Sequence, residues 1–137
     1  LVELNALLYK YEMDFATLIK TEFKDSLCIN SNTYSSVYWV ERAKQRKELV
    51  NHFLWIPVSS AMTKKENQKG LYVDYNFKTQ THSSFIAATT FVPLWSKMAS
   101  KEQAEVLVKN ILPLLKEQGG IAGNTQKSVP RPWDAVR

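Results

Sequence analysis

The sequence predicts a mainly α-helical protein built from pairs of helices, and two neighbouring segments carry that prediction. The segment from Ser83 to Ala99 is apolar on most sides of a helix and carries almost no charge before Lys97. That pattern is typical of a helix buried nearly all round, with Pro93 either kinking it or lying in its first turn. The next segment, Lys101 to Gln118, is amphipathic, so a buried helix is followed by a helix with one solvent-exposed face. We infer that the chain repeats this pair.

An earlier pair is predicted in the first third of the chain. Residues Leu4 to Lys24 place apolar side chains three and four positions apart, which indicates a helix. A second helix is predicted to begin at Ser35 or Ser36, whose hydroxyl can cap it, and to run to about Trp55. Charged residues between Glu41 and Glu48 form the side of this helix that we expect to face water.

The connections between these helices differ in length. The polar stretch Asp25 to Thr33 is rich in turn-forming residues and should stop the first helix. Val58 to Gly70 is polar and lysine-bearing, and we expect a mobile loop there. Leu71 to Phe77 alternates apolar and polar residues, and Lys78 to His82 can turn it back, which predicts a short β-hairpin near 71–82.

The last amphipathic helix has local start and stop signals. Ser100 and Gln103 have the spacing of a capping box, and Gly119 with Gly120 is expected to end the helix. Beyond it, residues 119–134 contain three glycines and two prolines. We expect a long exposed loop, which in a compact domain is usually functional or disordered.

Composition narrows the class of protein. The chain has 137 residues, 45% of them apolar, which fits one domain with a buried core. Its net charge is +5, but the lysines are scattered and no arginine-rich block is present, so we expect no nucleic-acid partner. No apolar run is long enough to cross a bilayer, and we expect no membrane partner. The single Cys28 excludes an internal disulfide framework and favours a reducing compartment.

Neither end of the chain resembles a natural terminus. It starts at Leu1 without Met, and it stops at Arg137 without a closing element. We therefore expect residues 1–137 to be a piece of something longer.

Several segments together resemble one known family, the trehalases, and in particular the catalytic region of the fungal neutral type. They occur in the family's order and cover nearly the whole chain. The segments are Glu3 to Glu12 (ELNALLYKYE), Leu71 to Asn76 (LYVDYN), Ala88 to Trp95 (ATTFVPLW), and Gly119 to Ile121 (GGI) followed by Trp133 to Ala135 (WDA).

The chain departs from the family pattern at three places. Glu3 stands where the family usually has Asp. Pro132 replaces the Gln that opens the family's second signature, Gln-Trp-Asp. After Ala135 the chain reads Val136-Arg137, so that signature is only half present.

The resemblance implies an (α/α)6 toroid, in which six inner helices line a pocket and six outer helices wrap them. Two inner–outer pairs would lie in this chain: the first predicted helix with the second, and the Ser83 to Ala99 helix with the one that follows. The implied activity is inverting hydrolysis of α,α-trehalose to two glucose molecules, without a cofactor or metal. The implied compartment is the cytosol.

The resemblance assigns no catalytic residue to this chain. In the family, the catalytic acid is an Asp in a Ser-Gly-Trp-Asp-like segment before this region, and the base is a Glu in a glycine-rich segment after it. We expect the isolated chain to be inactive. The implied substrate-binding residues are Trp133, whose ring can stack on a sugar, Asp134, which can accept hydroxyl hydrogen bonds, and Asn5. Trp133 could instead plug the barrel rim, and Asn5 could be an ordinary helix-start residue.

The other polar residues have simpler interpretations. Glu12 and Asp14 are two positions apart, point in different directions on a helix, and are expected on a solvated face. His52 and His82 lack metal-ligand spacing.

Two alternatives stay open. One is another (α/α)6 glycosidase acting on a different α-glucoside, since a fold does not fix function. The other is a non-catalytic helical interaction module whose helix pairs stack as a solenoid.

Overall fold

Helices α1 (Val2–Glu22) and α2 (Ser36–Phe53) form an antiparallel pair, and other elements of the structure pack against it. The structure is a computed structural model that describes residues 1–58 and 70–125. Both helices were predicted, and their observed ends lie within two residues of the predicted ones. The loop predicted from Val58 to Gly70 lies almost entirely outside the described residues.

Helix α1 buries only part of the apolar stripe that predicted it. The face that packs against α2 and the core carries two alanines, two larger apolar residues and one charge, namely Val2, Ala6, Glu12, Ala16 and Ile19. The large apolar residues of the stripe are half exposed instead: Leu4, Tyr11, Phe15 and Leu18. Small residues on the buried face allow the two helices to approach closely.

A short hairpin connects α1 to α2. Strands β1 (Leu27–Ile29) and β2 (Asn32–Tyr34) are antiparallel, and Asn30 and Ser31 form the turn with positive φ angles. Ser35 caps α2 as predicted, because its Oγ accepts a hydrogen bond from the Tyr38 N–H at 3.4 Å.

The predicted hairpin near 71–82 is present but shorter. Strand β4 (Leu71–Tyr72) pairs with β3 (Trp55–Ile56), which directly follows α2. Strands β5 (Tyr75–Asn76) and β6 (Thr81–His82) make the hairpin itself. We call residues 70–77 the arm, since they connect the two small sheets.

The prediction of one long buried helix from Ser83 to Ala99 is wrong. The structure has a 3₁₀ turn (Ala88–Phe91) followed by one turn of helix, α3 (Val92–Trp95). Residues 83–87 are not helical, because the backbone of Ile86 and Ala88 hydrogen-bonds to residues 123–125 rather than to its own neighbours. Pro93 lies in the first turn of α3, as one of the two predicted alternatives required. Lys97 then adopts a positive φ, which ends the helix.

Helix α4 (Lys101–Leu115) begins as predicted and ends early. Ser100 and Gln103 form the full capping box. The predicted glycine stop is wrong: the chain leaves the helix at Leu115, and β7 (Lys116–Glu117) pairs with β8 (Gly120–Ile121). Gly120 has a φ of +140°, which only glycine adopts readily, so it serves the hairpin turn and not the helix end.

The core lies where α1, α2, the arm and α4 converge. Gly70 lets the arm approach α4 closely, because a Cβ at this position would lie 2.2 Å from Cγ1 of Val106. In the described part of the chain, no helix is both long and apolar enough to span a bilayer. The buried core residues are Val2, Ala6, Val50, Leu54, Leu71, Tyr72, Val73, Met98, Leu107, Ile111 and Leu115.

Candidate functional site

The start of α1 lies at a surface assembled from three separate parts of the chain. These parts are the first turn of α1 (residues 1–5), the arm, and the paired segments 86–88 and 123–125. We call them together the α1-start surface. A hydrogen bond connects the first turn of α1 directly to the arm, and Thr90 of the 3₁₀ turn connects the arm to residues 86–88, as the following contacts show.

Asp74 of the arm caps α1 from a distance of 72 residues in sequence. Its Oδ1 accepts a hydrogen bond from the N–H of Val2 at 3.0 Å, and it lies 2.7 Å from the backbone nitrogen of Leu1. A carboxylate at this position is favoured by the positive end of the helix.

Thr90 fixes the other side of the arm. Its Oγ1 accepts a hydrogen bond from the N–H of Tyr72 at 3.1 Å, in a fully buried position of the 3₁₀ turn. Tyr72 is itself buried, which raises the pKa of its phenol. The arm is thus fastened to α1 through Asp74 and to the 3₁₀ turn through Thr90.

Residues 123–125 pair with the segment that leads into the 3₁₀ turn. The N–H of Ala88 donates to the carbonyl of Gly123 at 2.9 Å, and the N–H of Thr125 donates to the carbonyl of Ile86 at 3.1 Å. An antiparallel bridge between Ala87 and Asn124 lies between these two bonds. Residues 123–125, the last that the structure describes, therefore belong to the α1-start surface.

Two of the predicted site residues come after Thr125 in the sequence. Trp133 and Asp134 are outside the described residues, so the structure gives no position for either side chain. Asn5, the third, is one turn into α1, and its side chain points towards α2. Its Nδ2 donates to the carbonyl of Leu1 at 2.9 Å, and its Oδ1 accepts from Nη1 of Arg46 at 3.0 Å.

Arg46 also binds a buried carboxylate. Its Nε and Nη2 donate to the two oxygens of Glu12 at 2.9 and 2.8 Å, which is the bidentate geometry of the strongest carboxylate pairs. Nε of Arg42 lies 3.6 Å from the same Glu12 carboxylate but makes no hydrogen bond to Asn5 among the described contacts.

The expectation that Glu12 lies on a solvated face is wrong. Its residue is only 4% exposed, because α1 turns this side towards α2. Arg46, assigned to the wet side of α2, is likewise only 20% exposed at its side chain. One local signal was present but not used: Ala16 lies one helical turn after Glu12, and its small side chain leaves room for a long partner from another helix.

Three cavities border the α1-start surface, and the one between the arm and α4, of about 630 Å³, is lined by side chains such as Leu71, Ile86 and Asn110. The remaining two lie nearer the first turn of α1 and the hairpin. One of about 330 Å³ lies between α1 and α2 and is lined by Asn5 and otherwise by apolar side chains, with Phe77 of the hairpin at its edge. The other, of about 670 Å³, follows the hairpin and combines the ring of Tyr75 with polar groups such as Asn76 and Ser83. Rings beside hydrogen-bonding groups suit a hydroxyl-rich ligand. Across residues 1–58 and 70–125, no three His, Cys, Asp or Glu side chains are grouped to hold a metal ion.

Comparison with known proteins gives one consistent result. A family model described as Trehalase matches residues 1–135. The chain is 39% identical to the cytosolic neutral trehalase of Kluyveromyces lactis and 37% identical to that of Saccharomyces cerevisiae. These matches include 93% and 97% of this chain but only 16% and 18% of the two relatives, so the chain spans about a sixth of their length.

A solved structure agrees with the sequence matches. The neutral trehalase from Saccharomyces cerevisiae superposes with a TM-score of 0.78 at 36% identity, covering 90% of this chain and 21% of that one. That protein is an (α/α)6 toroid, and the mainly helical fold with short hairpins predicted for this chain is confirmed.

Proposed function

The chain belongs to the trehalase family, and we propose that it forms part of the pocket wall of an enzyme that hydrolyses α,α-trehalose to two glucose molecules. In this proposal, residues 1–137 belong to a single catalytic domain. Helices α1 and α2 form one inner–outer pair, and the 3₁₀ turn, α3 and α4 form the next. The observation that supports it most is the family match over residues 1–135, since it includes every part of the α1-start surface.

The reaction is proposed to invert the configuration at the attacked carbon. One carboxylic acid protonates the glycosidic oxygen while a carboxylate on the opposite face activates water. We assign neither group to this chain. Glu12 is paired with Arg46, and Asp74 is bonded to the backbone of α1, so both of these carboxylates already have structural partners.

Trp133, Asp134 and Asn5 are the proposed substrate-binding residues. The Trp133 ring would stack on the apolar face of a glucose unit, and Asp134 would accept hydrogen bonds from its hydroxyls. Asn5 would contribute from the first turn of α1. The family match supports this set, because it covers residues 1–135 and so includes all three positions.

The proposed compartment is the cytosol. The two relatives described above carry cytosolic in their names. Cys28 is exposed and unpaired, which is the usual state of a thiol in a reducing compartment.

The direct test is trehalose hydrolysis by the full-length protein. We expect equal amounts of α- and β-glucose at early times, observed by proton NMR, because inversion at one carbon yields one glucose of each anomer. Maltose and sucrose are the comparison substrates. Preferred hydrolysis of either would contradict trehalase and favour another α-glucosidase, while no hydrolysis of any would favour an interaction module.

The proposed binding residues have a matched control. Trp133→Ala and Asp134→Asn should each raise KM for trehalose about tenfold or more, as the loss of a stacking ring or a charged acceptor would. Tyr38→Ala, in the first turn of α2 at the opposite end of the helix pair, should leave KM unchanged. The isolated 137-residue chain should be inactive, and measurable hydrolysis by it would contradict the assignment of both catalytic groups to other segments.

A further inference from the structure

We propose that Arg46 is a positioning residue for the substrate pocket: from α2 it fixes Asn5, and through Asn5 the first turn of α1. This inference rests on the proposed function, because it takes the start of α1 as one wall of the trehalose site. Arg46 itself would touch no substrate.

The guanidinium of Arg46 divides its donors between two tasks. Nε and Nη2 bind both oxygens of Glu12, and Nη1 is left for Asn5. A guanidinium is planar and rigid, so two bonds to one carboxylate also fix the direction of the third donor. Glu12 therefore aims Nη1 at the Asn5 side chain.

Asn5 connects Arg46 to the first turn of α1. Its Oδ1 accepts from Arg46, while its Nδ2 donates to the carbonyl of Leu1. Since both bonds come from one planar amide, a shift of the Asn5 side chain changes its bond to Leu1. The first turn of α1 is thus fastened from the side of α2 by Arg46 and from the arm by Asp74.

The first turn of α1 receives two contacts from other segments. Asp74 accepts from the N–H of Val2, whereas α2 has Ser35 and α4 has Ser100 as local caps. Arg46 reaches the same turn through Asn5, whose Nδ2 shares the Leu1 carbonyl with the Asn5 backbone N–H.

The experiment uses the full-length protein and measures KM and kcat for trehalose beside the melting temperature. Arg46→Lys keeps a cation next to Glu12 but cannot bind Glu12 twice and Asn5 at once. We expect KM to rise about fivefold, the size of one lost hydrogen bond, with a smaller change in kcat and a melting temperature near wild type. Arg46→Met should raise KM at least as much and also lower the melting temperature.

Arg42→Met is the matched control. It removes a cation from the same Glu12 carboxylate and the same helix but leaves Asn5 untouched, so KM should stay at the wild-type value. In an Asn5→Ala background, Arg46→Lys should raise KM no further, because Arg46 can then no longer act on the first turn of α1 through the Asn5 side chain.

The outcomes separate this inference from the proposed function. An active wild type with unchanged KM in both Arg46 variants would overturn the inference alone. So would an equal rise in KM for Arg42→Met, or additive effects of the Asn5 and Arg46 changes. A wild-type protein without trehalase activity would overturn the proposed function and this inference with it.

Discussion

In the first helix pair, α1 meets α2 through alanines and the Glu12–Arg46 ion pair, whereas α4 meets the core through Leu107, Ile111 and Leu115. The two regions therefore depend on different forces. Apolar packing tolerates a change of side chain if the volume is conserved, while a buried ion pair requires both partners in one geometry. The first pair should consequently be sensitive to chemistry and the second to volume.

The largest effect is expected in the apolar region. Leu107 is fully buried in the core, and Leu107→Ala should lower the free energy of unfolding by about 3 kcal/mol, because it loses transfer energy and leaves a cavity. Leu114→Ala on the same helix is the control, since Leu114 is 46% exposed and should cost well under half as much. Urea denaturation measures both. Equal losses of unfolding free energy would contradict the prediction that the buried face of α4 contributes more to stability than its exposed face.

Glu12→Ala tests the ion pair and should cost about 2 kcal/mol, less than the roughly 3–5 kcal/mol of a fully buried pair, because Arg46 retains some access to water. The double variant Glu12→Met with Arg46→Met should recover most of that loss, since two apolar side chains can replace a buried pair. The measurement is a double-mutant cycle of unfolding free energies. A double variant that is less stable than Glu12→Ala would mean that shape, and not charge, governs this interface.

Helix caps give a smaller and sharper comparison. Ser100→Ala removes one half of the capping box of α4 and should cost about 1 kcal/mol. Ser35→Ala should cost less, because its bond to Tyr38 is long and the next N–H, that of Ser36, is already bound by Asp25 at 2.7 Å. Thermal unfolding of the two variants beside wild type decides the order. A greater loss for Ser35→Ala would contradict it.

The smallest effect concerns pH. Hydrogen bonds from the Ser36 side chain and backbone hold the pKa of Asp25 below its ordinary value. A lowered native pKa stabilises the fold above the pKa of the unfolded state, about 3.9, and this contribution disappears as the pH falls through the native pKa. Asp25→Asn should therefore flatten the loss of stability between about pH 5 and pH 2 relative to wild type. Unfolding curves with the same pH dependence would contradict the role of Asp25.

The sequence predicted those features whose cause is local. The ends of α2 and the capping box of α4 follow from residues within one turn, and both were confirmed. The segment from Ser83 to Ala99 failed because high apolar content was interpreted as a helix, although its backbone finds partners in residues 123–125. No short-range pattern reveals a partner that distant.

The polar contacts that α1 makes with α2 and with the arm were missed for the same reason. Glu12 and Arg46 are 34 residues apart, and Asp74 is 72 residues from Val2. From its sequence neighbours alone, each of these charged residues would be assigned to the protein surface. The positions of Trp133 and Asp134 stay predictions, since both lie outside the described residues.

The cap that Asp74 provides has a consequence for biosynthesis. The ribosome adds about 5–20 residues per second, so the 72 residues between Val2 and Asp74 take about 4–14 s to appear. Until Asp74 has been made, the N–H of Val2 lacks this acceptor, and the half-exposed stripe of Leu4, Tyr11, Phe15 and Leu18 is available to other proteins. This helix is therefore a segment of the nascent chain that a chaperone would be expected to bind.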